Sequence, residues 1–171
     1  IRLGIKIRYP AWANDLRVTV NGQAHHAQAE PGAYITLERE WHNGDQIDVR
    51  LPMRLNLEAL PGAPNIVAVL YGPIVLAGAL GADNMPDLYL HDLYTRITPI
   101  NDWPAPEVPV FVGAAEHALA NIERVAGKPL TFRTNGISQP HDVELIPFSQ
   151  LHHQRYTVYW QLRATDDVER A

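Results

Sequence analysis

The apolar stretch IVAVLYGPIVLAGAL, residues 66–80, is the segment that most constrains the fold of this chain. It is shorter than the roughly 20 residues that a membrane helix needs, and Gly72 and Pro73 interrupt it. A short apolar run bounded by turn residues is typical of buried strands. We therefore predict a buried strand pair that turns at Gly72-Pro73, or one strand bent there. Because the run is apolar on both faces, it needs cover on both faces.

Short runs of alternating apolar and polar residues precede this stretch. They occupy residues 3–7, 16–20, 34–38, 47–51 and 53–57. Asn21-Gly22 follows the second run and is a strong hairpin signal, because both residues tolerate positive φ. Pro52 predicts a sheet edge or a bulge. Alternating strands divided by turns every 8–12 residues or so are typical of an antiparallel β-sandwich.

The pattern changes after residue 82. Residues 83–109 contain five prolines and no periodicity, which predicts a Pro-rich connection between two modules. Residues 114–125 have helical spacing and precede Gly127, which predicts one short helix. Further strands are expected near residues 129–134, 141–148 and 154–163. The predicted fold class is all-β, with two antiparallel β-sandwich modules at residues 1–82 and 110–171.

The composition excludes several classes of function. A formal net charge of −5 gives no basic surface for nucleic acid and no polybasic patch for a membrane. The absence of cysteine excludes a thiol nucleophile and thiolate metal ligands. No spacing pairs two carboxylates across a cleft, as glycosidase chemistry requires, and no serine lies in a nucleophile elbow. We predict no catalytic residue and no metal site on this chain.

The stretch FSQLHHQRYTVYW, residues 148–160, holds the candidate site residues. Strand alternation assigns one face to the core and the opposite face to solvent or an interface. The core face comprises Tyr156, Val158, Trp160 and Leu162. The opposite face comprises Arg155, Thr157, Tyr159, Gln161 and Arg163. His152, Arg155 and Tyr159 are candidates for a polar contact with another domain or with a sugar.

The two histidine pairs and the tryptophans are also considered as metal or sugar ligands. His152 and His153 diverge as neighbours in an extended chain, so one metal ion would not easily bind both. His25-His26 follows a hairpin turn, and we expect it to be solvated. Three tryptophans at strand ends could stack on sugar rings, but they more often cover the end of a sandwich core. These are Trp12, Trp41 and Trp103.

Several of these motifs together resemble a known family. The order VTVNGQ, GAYITLEREWHNGDQIDVRLPM and NIVAVLYGPIVLAG resembles the β-sandwich that follows the catalytic barrel in glycoside hydrolase families 127 and 146. These are β-L-arabinofuranosidase-like proteins, formerly a domain of unknown function. The closing PFSQLHHQRYTVYW is similar to the end of their last β-module. The motifs span nearly all of the chain.

The resemblance implies that catalysis lies elsewhere in a longer polypeptide. The family's activity resides in an upstream (α/α)6 barrel, with a cysteine nucleophile, a glutamate acid/base, and a zinc ion held by three cysteines and a glutamate. None of these positions maps onto this chain, which has no cysteine. The resemblance therefore implies a non-catalytic C-terminal portion of a hydrolase that acts on non-reducing-end L-arabinofuranosides of plant-type glycans. An independent carbohydrate-binding module is the alternative.

The start of the chain carries one further expectation. The sequence opens inside an alternating strand, and the sandwich that this strand joins looks incomplete. An uncovered apolar patch and an unpaired strand edge favour association. We therefore expect the isolated chain to self-associate unless the barrel is restored.

Overall fold

A computed structural model of the protein describes residues 1–26, 29–85 and 107–164. These residues are mostly β-strand, with one short α-helix and one 3₁₀ turn, which confirms the predicted all-β class. None of the helical segments described is long and apolar enough to cross a membrane. Most of the predicted Pro-rich connection at residues 83–109 lies outside the described residues. The chain forms two compact units, Ile1–Arg54 and Leu55–Ala171.

The first unit contains two small antiparallel sheets. Its strands are β1 (Arg2–Arg8), β2 (Arg17–Val20), β3 (Gln23–His25), β4 (Tyr34–Glu40) and β5 (Ile47–Arg50). One sheet pairs β1 with β4, and the other has the order β3-β2-β5. Asn21 and Gly22 adopt φ angles of 52° and 77° between β2 and β3, which confirms the predicted hairpin.

Alternate side chains of both sheets form the core of the first unit. The core includes Ile5, Ile7, Val18, Val20, Ile35, Leu37, Trp41 and Ile47. Trp41 lies at the end of β4, and its indole Nε1 donates a hydrogen bond of 3.1 Å to the carbonyl of Leu3. Trp41 therefore covers the end of a small sandwich, as predicted. Trp12 is half-buried, and Trp103 lies outside the described residues.

The second unit is built on one branched ten-stranded sheet. Its elements are β6 (Leu55–Leu60), β7 (Ala63–Tyr71), β8 (Ile74–Ala79), β9 (Val110–Val112), α1 (Ala115–Ala120), β10 (Ile122–Arg124), β11 (Phe132–Thr134), β12 (Ser138–Gln139), β13 (Glu144–Pro147), a 3₁₀ turn (Phe148–Gln150), β14 (Tyr156–Thr157) and β15 (Tyr159–Arg163). The strand order is β10-β11-β13-β8-β7-β15-β9-β12, with β6 also on β7 and β14 also on β8. The β15–β9 pair is parallel, whereas the other pairs are antiparallel.

The apolar stretch at residues 66–80 forms the hairpin of β7 and β8. The chain turns at Gly72, whose φ is 57°, so the strand-pair alternative is correct. The two strands pair only next to the turn, from Tyr71↔Ile74 to Val69↔Leu76. Farther from the turn, β14 pairs with β8 and β15 pairs with β7. The C-terminal strand is therefore inserted between the open arms of the hairpin.

This insertion explains why the compact units differ from the predicted modules. The sequence predicts a division at residues 82 and 83, whereas the units divide between Arg54 and Leu55. Strands β6, β7 and β8 belong to the same sheet as the strands that follow residue 109. The arms of the hairpin require partners for their backbone groups, and the C-terminal segment supplies them.

Trp160 lies at the centre of the second core. Its side chain is fully buried and stacks on Phe111, with ring centroids 4.3 Å apart. Gly78 provides the space for the indole, because an added Cβ there would lie 2.6 Å from the ring. Other buried members include Val67, Val69, Leu76, Ile122, Phe132, Ile137, Val143 and Leu145. The prediction that Trp160 is a core residue is confirmed.

The predicted facing of Tyr156 and Thr157 is wrong. Tyr156 is 48% exposed and lies against the ring of Phe148, with centroids 5.2 Å apart. Thr157 is buried, and its hydroxyl donates a 2.7 Å hydrogen bond to the carbonyl of Tyr159. The strand is interrupted at Val158, between β14 and β15, so the alternation does not continue across it.

The predicted helix is present but shorter than residues 114–125. It spans Ala115–Ala120, and the side-chain amide of Asn121 donates a 2.9 Å hydrogen bond back to the carbonyl of His117. Ile122 then begins β10, where it is buried and pairs with Thr134. Pairing with β11 thus replaces the second half of the predicted helix.

Candidate functional site

The three candidate residues are His152, Arg155 and Tyr159. The first two precede the inserted strand β14–β15, and Tyr159 lies within it. His152 is exposed just after the 3₁₀ turn. Arg155 exchanges backbone hydrogen bonds of 2.9 Å with Gly81 and Leu80, and its guanidinium donates to the carbonyl of Asp83. Tyr159 lies in β15 and is 53% exposed. No hydrogen bond between described residues joins the three side chains, so the structure does not assemble them into one site.

The neighbouring histidines form no metal centre with other residues of the described part of the chain. The imidazole centroids of His152 and His153 are 6.3 Å apart and tilted by 50°. Across residues 1–26, 29–85 and 107–164, no three His, Asp or Glu side chains come together in a way that could hold a metal ion. His25 and His26 are both exposed, as expected of a solvated pair.

Tyr159 borders a depression on the outer face of the second unit. Its strand places it directly opposite Ala68, and Ala68 is directly opposite Glu58 on the next strand. The depression has a volume of about 260 Å³. Its lining, which we call the Tyr159 groove, comprises Glu58, Ala59, Leu60, Pro61, Ala68, Leu70, Val75, Val158 and Tyr159.

The groove coincides with the second apolar face of the hairpin. Val67 and Val69 are buried in the core, whereas Ala68 and Leu70 on the other face are only half-buried. The sequence predicts that both faces require cover, and the described residues cover this outer face only in part. Sequence reasoning missed Glu58, because only the strand register brings it into line with Tyr159.

Many of the other carboxylates stabilise local structure. Asp15 pairs with Arg54 at 2.6 Å, and Glu144 pairs with Lys128 at 2.7 Å. Asp142 accepts hydrogen bonds from the backbone N–H of Gly136 at 2.9 Å and 3.1 Å, and from the buried hydroxyl of Thr134 at 3.0 Å. This Asp142 network was not predicted from the sequence. It stabilises the segment between β11 and β13, which contains β12.

The motif REWHNGD, residues 39–45, forms a charged cluster in the first unit. The guanidinium of Arg39 lies 5.0 Å from the ring centroid of Trp41 and 3.5 Å from the carboxylate of Asp45. The backbone N–H of His42 donates to that carboxylate at 2.9 Å, and the amide of Asn21 donates at 2.8 Å. These hydrogen bonds, with that of His42 first, hold the pKa of Asp45 below its ordinary value. The cluster ties the β4–β5 turn to the β2–β3 hairpin, which is a structural role.

Two family models match the chain, one for each compact unit. Residues 56–162 match DUF4986, a domain of unknown function. Residues 2–53 match the middle domain of the GH127 β-L-arabinofuranosidases. No curated protein sequence matches the chain. The two matches confirm the resemblance inferred from the sequence, and they show a glycoside-hydrolase-associated region.

Solved structures with a similar fold include three larger proteins. A glycoside hydrolase is 17% identical with a TM-score of 0.60, over 94% of this chain and 28% of that one. A GH127 β-L-arabinofuranosidase from Geobacillus stearothermophilus T6 is 15% identical with a TM-score of 0.60, over 95% of this chain and 27% of that one. A GH127 β-arabinofuranosidase is 19% identical with a TM-score of 0.61, over 95% of this chain and 28% of that one. At these identities the likeness shows a shared fold, and this chain spans little more than a quarter of those proteins.

Proposed function

We propose a supporting, non-catalytic function for this chain, which belongs to the DUF4986 family. It forms the C-terminal β-sandwich portion of a glycoside hydrolase that cleaves non-reducing-end L-arabinofuranosyl linkages in plant-type glycans. One observation carries the proposal. Nearly all of this chain matches a region that makes up only 27–28% of two larger GH127 enzymes.

The chemistry of the chain supports a role without catalysis. The resemblance implies a cysteine nucleophile and a zinc ion held by three cysteines and a glutamate, and this sequence contains no cysteine. The residues of this chain therefore do not fit that zinc site, which would lie in the catalytic barrel. Asp45, Asp142 and Glu144 are held in structural hydrogen bonds or ion pairs.

The partner is the (α/α)6 barrel of the same polypeptide. A candidate contact surface in the second unit is the ring pair of Phe148 and Tyr156, which are 44% and 48% exposed. His152 and Arg155 lie between these two residues in the chain and are our candidates for the polar rim of this contact. Exposed aromatic side chains with a polar rim are typical of a protein contact surface.

The purified chain tests this proposal in two assays. An aryl β-L-arabinofuranoside should show no turnover with the chain, either with added zinc or with a chelator. Turnover that persists through purification would contradict the non-catalytic role. In the second assay, the chain should bind a separately produced GH127 barrel, and Phe148→Ala with Tyr156→Ala should weaken binding at least tenfold. Tyr34→Ala is the matched control, because Tyr34 is 54% exposed in the first unit.

A carbohydrate-binding function is a second candidate. It is favoured by the Tyr159 groove, which combines an exposed aromatic ring with a carboxylate across a small gap.

A further inference from the structure

We propose that the Tyr159 groove is a binding site for a single neutral sugar ring, with Tyr159 as the stacking platform and Glu58 as the hydrogen-bond acceptor. The supporting function above does not require this site. It would give the chain its own contact with glycan, in addition to its contact with a barrel.

The strand register sets the distance across the site. Glu58, Ala68 and Tyr159 are directly opposite one another on β6, β7 and β15, so their side chains point to the same face of the sheet. Adjacent strands lie about 4.8 Å apart, which separates Glu58 from Tyr159 by roughly 10 Å across Ala68. The single methyl group of Ala68 leaves the space between them open. A ring can therefore lie over Ala68 and contact both flanking side chains.

The size of the groove also fits one ring. Pockets for drug-sized ligands usually hold about 300–1,000 Å³. The Tyr159 groove holds about 260 Å³, which is just below that range. Leu60 and Pro61 close one side, and Leu70 and Val75 close the other. These apolar walls suit the C–H face of a sugar.

The charge of the groove selects a neutral, hydroxyl-rich ligand. An ionised carboxylate accepts hydrogen bonds without donating them, so Glu58 pairs with hydroxyl groups. Glu58 is exposed and forms no ion pair with any residue that the structure describes, which leaves its oxygens available. The lining contains no lysine or arginine that could neutralise an acidic sugar. We expect uronic acids to be repelled.

Tyr159 provides the platform because it is a large aromatic residue with about half of its surface exposed. It is 53% exposed in a strand that pairs with β7, so the strand fixes the face of the sheet on which the ring lies. A rigid aromatic ring offers a large contact area at a small cost in side-chain entropy. Its hydroxyl adds a polar group at the far end.

The site can be tested by NMR titration of the 171-residue chain, kept at low micromolar concentration to limit its self-association, with L-arabinose, D-xylose, D-galactose and D-galacturonic acid. We expect at least one neutral sugar to shift the amide signals of Glu58, Ala68 and Tyr159, with a dissociation constant in the millimolar range. Galacturonic acid should bind several-fold more weakly. Tyr159→Ala should weaken binding at least tenfold, whereas Tyr159→Phe should retain most of it. Glu58→Gln should weaken binding several-fold.

The matched control is Tyr34→Ala, which removes an equally exposed tyrosine from the other unit and should leave the dissociation constant unchanged. The proposal is overturned if no sugar shifts these signals, or if Tyr159→Ala and Tyr34→Ala behave alike. It is also overturned if a GH127 barrel protects the groove amides while sugars do not, because the groove is then a protein contact. The turnover assay is independent of these outcomes, so failure of the glycan site leaves the non-catalytic role intact.

Discussion

Truncation of Trp160 is the most informative test of the second unit. The side chain is fully buried between Phe111 and Gly78, within the strand that separates the arms of the β7–β8 hairpin. Replacing a buried Trp by Ala typically costs about 3–5 kcal/mol, through lost apolar burial and a residual cavity. We expect Trp160→Ala to lower the free energy of unfolding of this unit by that amount.

The stability lost on truncating Trp160 should come from packing alone. Its Nε1 is buried without a hydrogen-bond partner among the described residues, so truncation removes no hydrogen bond. A buried unpaired donor destabilises the folded state by about 1–3 kcal/mol. Both substitutions remove this donor, but Trp160→Phe also keeps an aromatic ring in the core beside Phe111. We therefore expect Trp160→Phe to be clearly milder than Trp160→Ala.

These changes in stability can be measured by urea unfolding. Far-ultraviolet circular dichroism and the NMR signals of residues 55–164 serve as the two probes. The matched control is Tyr159→Ala, since Tyr159 is the preceding residue and faces outward. Surface substitutions usually change stability by about 0.5 kcal/mol or less. Equal effects of Trp160→Ala and Tyr159→Ala would refute the assignment of faces. An effect of Trp160→Phe as large as that of Trp160→Ala would refute the packing argument.

Three further predictions concern the hairpin, the charged cluster and the apolar surface. Gly78→Ala should destabilise the second unit by about 1–3 kcal/mol, because the added methyl group would overpack against the indole of Trp160. Trp160→Phe should relieve part of that cost. Additive effects of the two substitutions in a double-mutant cycle would contradict a contact between Gly78 and the indole. The pKa of Asp45 is lower in the folded protein than its ordinary value of 3.8. The Asp45 carboxylate therefore stabilises the first unit at pH values above 3.8, and this stabilisation is lost as the pH falls through the lowered pKa of the folded state. Asp45→Asn should therefore reduce the acid sensitivity of that unit in urea unfolding at neutral and acidic pH, and an unchanged pH dependence would contradict this. The chain alone should dimerise or aggregate in sedimentation experiments, because large apolar side chains are exposed in both units; a stable monomer at high micromolar concentration would instead indicate self-sufficient domains.

The sequence alone determined the features that depend on near neighbours in the chain. Asn21-Gly22 predicted a hairpin because both residues tolerate the positive φ angles that the turn requires. Alternation in β1, β2 and β4 predicted strands because one face of each is buried or half-buried. The family resemblance rested on similarly local motifs, and the matches to residues 2–53 and 56–162 agree with it.

Tertiary structure alone decided which strands pair and where the alternation is interrupted. The local sequence of β7 and β8 does not show that the C-terminal strand separates their arms, so the division between Arg54 and Leu55 could not be read from it. Tyr156 is exposed because the strand is interrupted at Val158, and Glu58 lines up with Tyr159 because both pair with Ala68. The physical reason is that side-chain facing along a strand is a local property of the backbone. The choice of a partner strand depends instead on burial and backbone hydrogen bonding between segments far apart in the chain.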